Sequence, residues 1–295
     1  WYEAAVAGLR KRSPLFDHFW RAKERYGDVL GGRLSAAIAY YGFFAVFALA
    51  VVVYTILIDV FSGSESLAAS VDDFLGNYFT QLTIDELKDQ VGIIRPIGLI
   101  GLVLAGVGWV DAWRSSLRAI WRLDQHPGNF LLLRLVDLGT LIVFGILMAI
   151  SLGVNGGLES LFKWIANGAD QSVWFKAATY SLTFVVNLVI AFGLMTLLPR
   201  MHLQVRRLIP SLMLIAIGLT LLNTFSRYVL LRSQNPAYAI VTTTVGLLVY
   251  LYVFNQIVIW GTSWAATAQN GRVFDLAWGK PREHDTLDEE ELPPA

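Results

Sequence analysis

Six stretches of the chain are apolar over about 20 residues, the length a helix needs to cross a bilayer core. They run roughly Leu34–Phe61, Pro96–Trp113, Leu131–Val154, Val173–Leu198, Leu208–Leu231 and Ala239–Thr267. Each run is continuous, whereas the strands of a membrane barrel alternate, so helices are predicted. Composition agrees: hydrophobic residues make up 55% of the chain and charged residues 16%, against about 25% charged in soluble domains. The expected fold is all-α, a polytopic membrane protein with six transmembrane helices.

Lys and Arg fall in alternate connections, which sets the orientation. Arg10, Lys11, Arg12, Arg21, Lys23, Arg25 and Arg33 precede the first span. Arg114, Arg118, Arg122 and Arg134 surround the second connection, Arg200, Arg206 and Arg207 the fourth, and Arg272, Lys280 and Arg282 follow the last span. The other connections carry fewer bases. Both termini are therefore expected in the cytoplasm. The 23 basic residues are matched by 23 acidic ones. That balance excludes a strongly basic nucleic-acid binder, so no nucleic-acid partner is expected. With no cysteine in the chain, a disulfide framework and a thiol nucleophile are excluded too.

The connections carry patterns of their own. In Leu15–Leu30 the residues Leu15, Phe16, Phe19, Trp20, Tyr26, Val29 and Leu30 take one arc; Asp17, His18, Arg21, Glu24, Arg25 and Asp28 take the other. That predicts an N-terminal amphipathic interfacial helix. Short amphipathic helices are expected in the outer loops at Leu67–Leu82 and around Leu158–Ile165. Each could pack on its own bundle or form a lipid-contacting collar. Residues 1–33 read as a cytoplasmic N-terminal region, 34–270 as the six-helix domain, and 271–295 as an acidic, disordered cytoplasmic tail.

Enzyme signatures are missing. The chain has no phosphate-binding Gly loop with a Lys and no His-Glu-x-x-His. The 4 histidines are scattered over separate segments. No catalytic residue, metal site or cofactor is called for.

The strongest charged constellation closes the second span. Arg114, Arg118 and Arg122 lie at i, i+4 and i+8, one stripe if the helix continues, and Asp111 is one turn before Arg114. Arg134 and Asp137 open the third span and either join a network or pair locally. The stripe either neutralises headgroups at the interface or recognises a phosphate at the mouth of a cavity. Inside the spans, polar side chains usually face the bundle interior. Tyr180, Thr183 and Asn187 share a face of the fourth span, Thr220, Asn223 and Arg227 of the fifth, and Tyr252, Asn255 and Gln256 of the sixth; Tyr40 adds a polar tip in the first. They either hydrogen-bond between helices or line a translocation cavity. Gly98, Gly101, Ala105 and Gly108 form a small-residue face suited to close packing.

These residues resemble the YihY/BrkB family of bacterial inner-membrane proteins. The echoes are Ala36-Ala37-Ile38-Ala39-Tyr40-Tyr41 opening the first span, Trp109 to Trp121 after the second, Leu198-Pro199 closing the fourth, and Leu248–Tyr252 before Trp260-Gly261. The likeness covers roughly Phe16 to Asn270. Two departures stand out: Phe47-Ala48 where the family usually has a Pro, and Gly261-Thr262-Ser263 where it has Gly-Ala-Glu. A proton-coupling role for that Glu is therefore not carried over. The resemblance implies the family's old label, ribonuclease BN, but no metal ligands or placed acid–base pair support it. It also implies a location in a bacterial plasma (inner) membrane and movement of lipids or other amphiphiles.

The leading expectation is a transporter or flippase-like exporter of a lipid or amphiphilic anion, with no ATPase of its own and membrane lipids as partners. Arg114, Arg118 and Arg122 would capture the head, and their replacement by Gln is expected to stop lipid movement with the fold intact. The alternatives are a non-catalytic membrane scaffold and, less favoured, a membrane-bound ribonuclease.

Overall fold

The computed structural model describes residues 2–61, 91–127, 133–140, 142, 173–232, 239–277 and 282–283. Seven long helices dominate them: α1 (Tyr2–Arg12), α2 (Pro14–Asp28), α3 (Gly31–Phe61), α4 (Val91–Ile120), α5 (Val173–Phe192), α6 (Val205–Arg232) and α7 (Ala239–Ala266). A short helical stretch covers 133–140. A π-helical turn, Gly193–Leu197, extends α5.

Three segments are long and apolar enough to cross a membrane: Pro96–Ile120, Val205–Ser226 and Thr244–Ala266. A fourth is added if α2 and Gly31–Ala48, bent by 60° to one another, count as one broken span. Six were expected. Of the rest, the predicted Leu131–Val154 span lies largely outside the described residues, and Phe184–Leu197 is a shorter apolar helix. The predicted outer-loop helices at Leu67–Leu82 and Leu158–Ile165 also lie outside them.

α3 and α4 approach closely through reciprocal notches. An added Cβ on Gly42 would stand 2.8 Å from Trp109 Nε1, and one on Gly108 would stand 3.1 Å from Tyr41 Cδ1. Each glycine thus admits the other helix's aromatic ring, the close approach that membrane helices obtain from small residues.

The fold is not wholly helical. β1 (Met201–Leu203), β2 (Val273–Asp275) and β3 (Arg282–Glu283) form an antiparallel sheet in that order. Met201 faces Asp275, Leu203 faces Val273, and Phe274 faces Glu283. One piece of the segment expected as a disordered tail, β2, therefore pairs with the connection between α5 and α6, and a second, β3, pairs with β2; residues 284–295 lie outside the described residues.

The core sits at the end of the bundle carrying the sheet. Trp113, Leu117, Ile120, Trp121, Met195, Ile215 and Ile259 are fully buried there. Farther along the helices, Leu104, Leu221 and Phe225 stand exposed, an apolar surface suited to lipid.

Candidate functional site

Helices α4 and α7 and the turn after α5 all end in the core-bearing, basic end of the bundle. Helix C-termini present carbonyls without intrahelical partners, together with the negative end of the helix dipole. Cationic side chains are their natural caps, and this sequence supplies them from distant segments. Arg25 Nη1 donates to the carbonyl of Ile120, the last residue of α4, at 2.7 Å. Arg21 Nη1 reaches the carbonyl of Thr267, just past α7, at 2.6 Å. His18 Nε2 lies 2.8 Å from the Trp264 carbonyl, and Arg207 Nη2 donates to that of Ala268. Arg118 Nη1 donates to Pro199, beyond the π-helical turn, at 2.9 Å.

This explains the odd polarity of α2. Ser13 caps its N-terminus, accepting from Phe16 N at 3.3 Å, with Pro14 in the first turn. Its buried face is Asp17, Arg21, Ala22 and Arg25, while Leu15 is 73% and Phe19 44% exposed. The helix docks largely by its charges and leaves Leu15 and Phe19 outward, unlike a helix on a water-soluble core. Asp17 holds the arrangement, accepting from Arg21 Nε at 3.0 Å and Arg10 Nε at 2.7 Å.

Two ion-pair nodes complete the layer. Arg118, fully buried, meets Asp275 of β2: Nη1 to Oδ1 at 3.0 Å and Nη2 to Oδ2 at 2.9 Å. Its Nε donates to the Asp124 carbonyl. Arg114, also buried, bonds both Asp111 and Asp137. Arg134 stands 3.2 Å from Asp111 and 3.9 Å from Asp137. The four therefore form an alternating square, with Arg134, at 34% side-chain exposure, on its open edge. Burying such charges is tolerable because every carboxylate here faces a cation. Burial and the neighbouring Arg114 push Arg200 below its ordinary pKa.

The expected three-arginine stripe is not continuous. The α-helix stops at Ile120, and Arg122 takes the left-handed conformation with φ 55. Arg122 N bonds Ala119 O at 3.0 Å and Leu123 N bonds Arg118 O at 2.9 Å, the hydrogen-bond pair of a Schellman motif. Arg122 is thereby turned out to an exposed position, while Arg114 and Arg118 are committed inward. Replacing all three with Gln would strip two buried pairs, so an intact fold is no longer expected of that variant.

The expected polar lining divides in two. Asn187, Thr220 and Asn223 do meet: Asn187 Nδ2 donates to Thr220 Oγ1 at 3.0 Å and Asn223 Nδ2 to Asn187 Oδ1 at 3.5 Å. Tyr250, which sequence reasoning missed, extends the chain to α7 by donating to Asn223 Oδ1 at 2.7 Å. Tyr252 and Gln256 bond each other at 2.8 Å instead, and Asn255 donates to the Ser35 carbonyl of α3 at 3.3 Å. Tyr40 is exposed and packs edge-on against Tyr41 and Phe44. The side chains of Tyr180, Thr183 and Arg227 lie outside the described residues. Among the described residues no three His, Asp or Glu side chains gather as a metal site would need.

The family model described as Virulence factor BrkB matches residues 22–284. The chain belongs to the BrkB family. Among its relatives is the "Inner membrane protein YhjD" of Escherichia coli (strain K12), 25% identical over 279 residues, which span 88% of this chain and 83% of that one. An uncharacterised protein of Dickeya dadantii (strain 3937) is also 25% identical, over 276 residues, 86% of this chain and 84% of its own. No solved structure matches. The apolar helices and the relative in the inner membrane make this BrkB-family chain a membrane-embedded protein.

Proposed function

We propose that this BrkB-family protein moves a lipid or other amphiphilic anion between leaflets, without an ATPase or other enzymatic activity of its own. In this reading it has six spans with both termini at the cytoplasmic face of a bacterial inner membrane. The arrangement of helix ends supports that topology. The starts of α3, of 133–140 and of α6, and the ends of α4, of the turn after α5 and of α7, all contribute to the basic layer. Odd spans beginning and even spans ending on one side is the alternation six spans require.

The observation that carries the transport reading is the chain Tyr250–Asn223–Asn187–Thr220, which joins α5, α6 and α7 within their apolar lengths. Polar side chains are costly there, and these occupy one another's hydrogen-bonding groups. Opened, the same groups would face a passing headgroup. Arg122 and Arg134, the outward members of the basic layer, would receive it. Energy would come from a gradient, a partner or flow down a concentration difference.

The test uses proteoliposomes carrying a fluorescent anionic phospholipid and an impermeant quencher. Wild-type protein should expose the inner-leaflet pool faster than empty vesicles do. Asn187→Leu should slow it while keeping the thermal midpoint close to wild type. Wild-type vesicles no faster than empty ones would end the transport reading; an unaffected Asn187→Leu would remove the polar chain from the path.

A further inference from the structure

Between α6 and α7 lies an open groove of about 390 Å³, walled by Leu214, Ile217 and Gly218 on one side and by Val253, Ile257 and Trp260 on the other. Its lining is almost wholly apolar; Gln256 is the polar member, and its amide is turned to Tyr252. The groove falls within the two spans Val205–Ser226 and Thr244–Ala266. The medium in contact with it in a membrane is hydrocarbon. Toward the basic end α2 closes it: Phe19 and Tyr26 pack on Trp260 at ring distances of 5.3 and 5.9 Å.

A cation stands beyond that end. Arg206 is exposed at the start of α6. It precedes Ile217 by eleven residues, three helical turns, so both share the outward face, about 17 Å apart along the axis. Arg207, its neighbour, is buried on Ala268, which leaves Arg206 to face the headgroup region. Basic positions beside interhelical clefts suit anionic lipid heads.

We propose that the groove seats one acyl chain of an anionic phospholipid from the leaflet at the basic end, with its phosphate on Arg206. Trp260 marks the depth at which the chain turns beneath α2. The seat is a resident lipid site and stands whether or not the protein moves lipid.

Native mass spectrometry of the full chain in detergent tests it, with phosphatidylglycerol and phosphatidylethanolamine of identical chains as probes. Wild-type protein should retain phosphatidylglycerol about fivefold better, the effect of one near-surface cation. Arg206→Gln should lose that preference and still hold phosphatidylethanolamine. Ile217→Trp and Val253→Phe, which fill the groove from opposite walls, should each release both lipids, with thermal midpoints close to wild type. Equal retention of the two lipids by wild type overturns the proposal. So does wild-type retention by both groove-filling variants.

Discussion

Arg118 and Asp275 are separated by 157 positions in sequence, yet their side chains meet in parallel at 3.0 and 2.9 Å. The contact joins the end of α4 to a strand beyond α7, and Arg118 adds the Pro199 carbonyl to the same knot. Removing one partner of such a pair strands a buried charge, at a cost of about 3–5 kcal/mol, whereas replacing both with apolar groups is often tolerated. Arg118→Met and Asp275→Leu should each lower stability by that order in denaturant titrations in detergent. The double variant should recover most of the loss. Additive losses would show that the pair is not coupled.

Arg25 makes a narrower prediction. Arg25→Ala frees the Ile120 carbonyl, and hydrogen bonds to charged groups contribute about 1.5–3 kcal/mol. Hydrogen exchange should quicken in the last turn of α4 and the adjoining 121–123. Exchange in α5 should change far less. Unchanged exchange near Ile120 would remove Arg25 as its cap.

His18 gives a pH dependence. Burial is the main cause holding its pKa below the ordinary 6.5, with Arg21 and Arg207 adding to it and the Trp264 carbonyl and Asp17 opposing. A histidine depressed in the folded state binds its proton more readily when unfolded. Its contribution is complete above pH 6.5 and is lost as pH falls through the lower folded value. Thermal midpoints should fall on acidification below 6.5, and His18→Gln should flatten that slope. Equal slopes would contradict the assignment.

Glycine notches separate packing from propensity. A Cβ on Gly261 would stand 2.2 Å from Ile215 Cγ1, whereas one on Gly246, in the same helix, meets nothing within 4 Å. Gly261→Ala should destabilise by about 1–3 kcal/mol. Gly246→Ala should stabilise by about 0.5–1 kcal/mol. Combining Gly261→Ala with Ile215→Ala should return part of the loss; no return would place the clash elsewhere.

The helices were legible because apolar runs of span length have few alternatives in a bilayer. The boundaries of α3, α6 and α7 fall within a few residues of the predicted ones. The role of the arginines was less legible. Positive charge at span ends has two uses, capture of an external anion and capping of internal carbonyls, and local spacing does not distinguish them. The stripe Arg114–Arg118–Arg122 assumed a helix that in fact turns at Arg122, whose left-handed backbone carries no glycine signal. Asp275 was missed because it lies in a short Val273–Asp275 strand within the segment expected as a disordered tail, and a strand that short leaves little periodicity. Tyr250 was missed because Tyr252, on another face of the same helix, aligned better with Asn255.

The most direct test of the functional account places the outward arginines in the proteoliposome assay. Arg122→Gln combined with Arg134→Gln should slow movement of the fluorescent anionic phospholipid by about tenfold or more, the effect expected on losing charge-assisted contacts. A zwitterionic analogue should be slowed far less, which separates lost headgroup capture from the loss of the Arg134 ion pairs with Asp111 and Asp137. Wild-type rates for the anionic lipid in that variant would contradict headgroup capture at the basic layer.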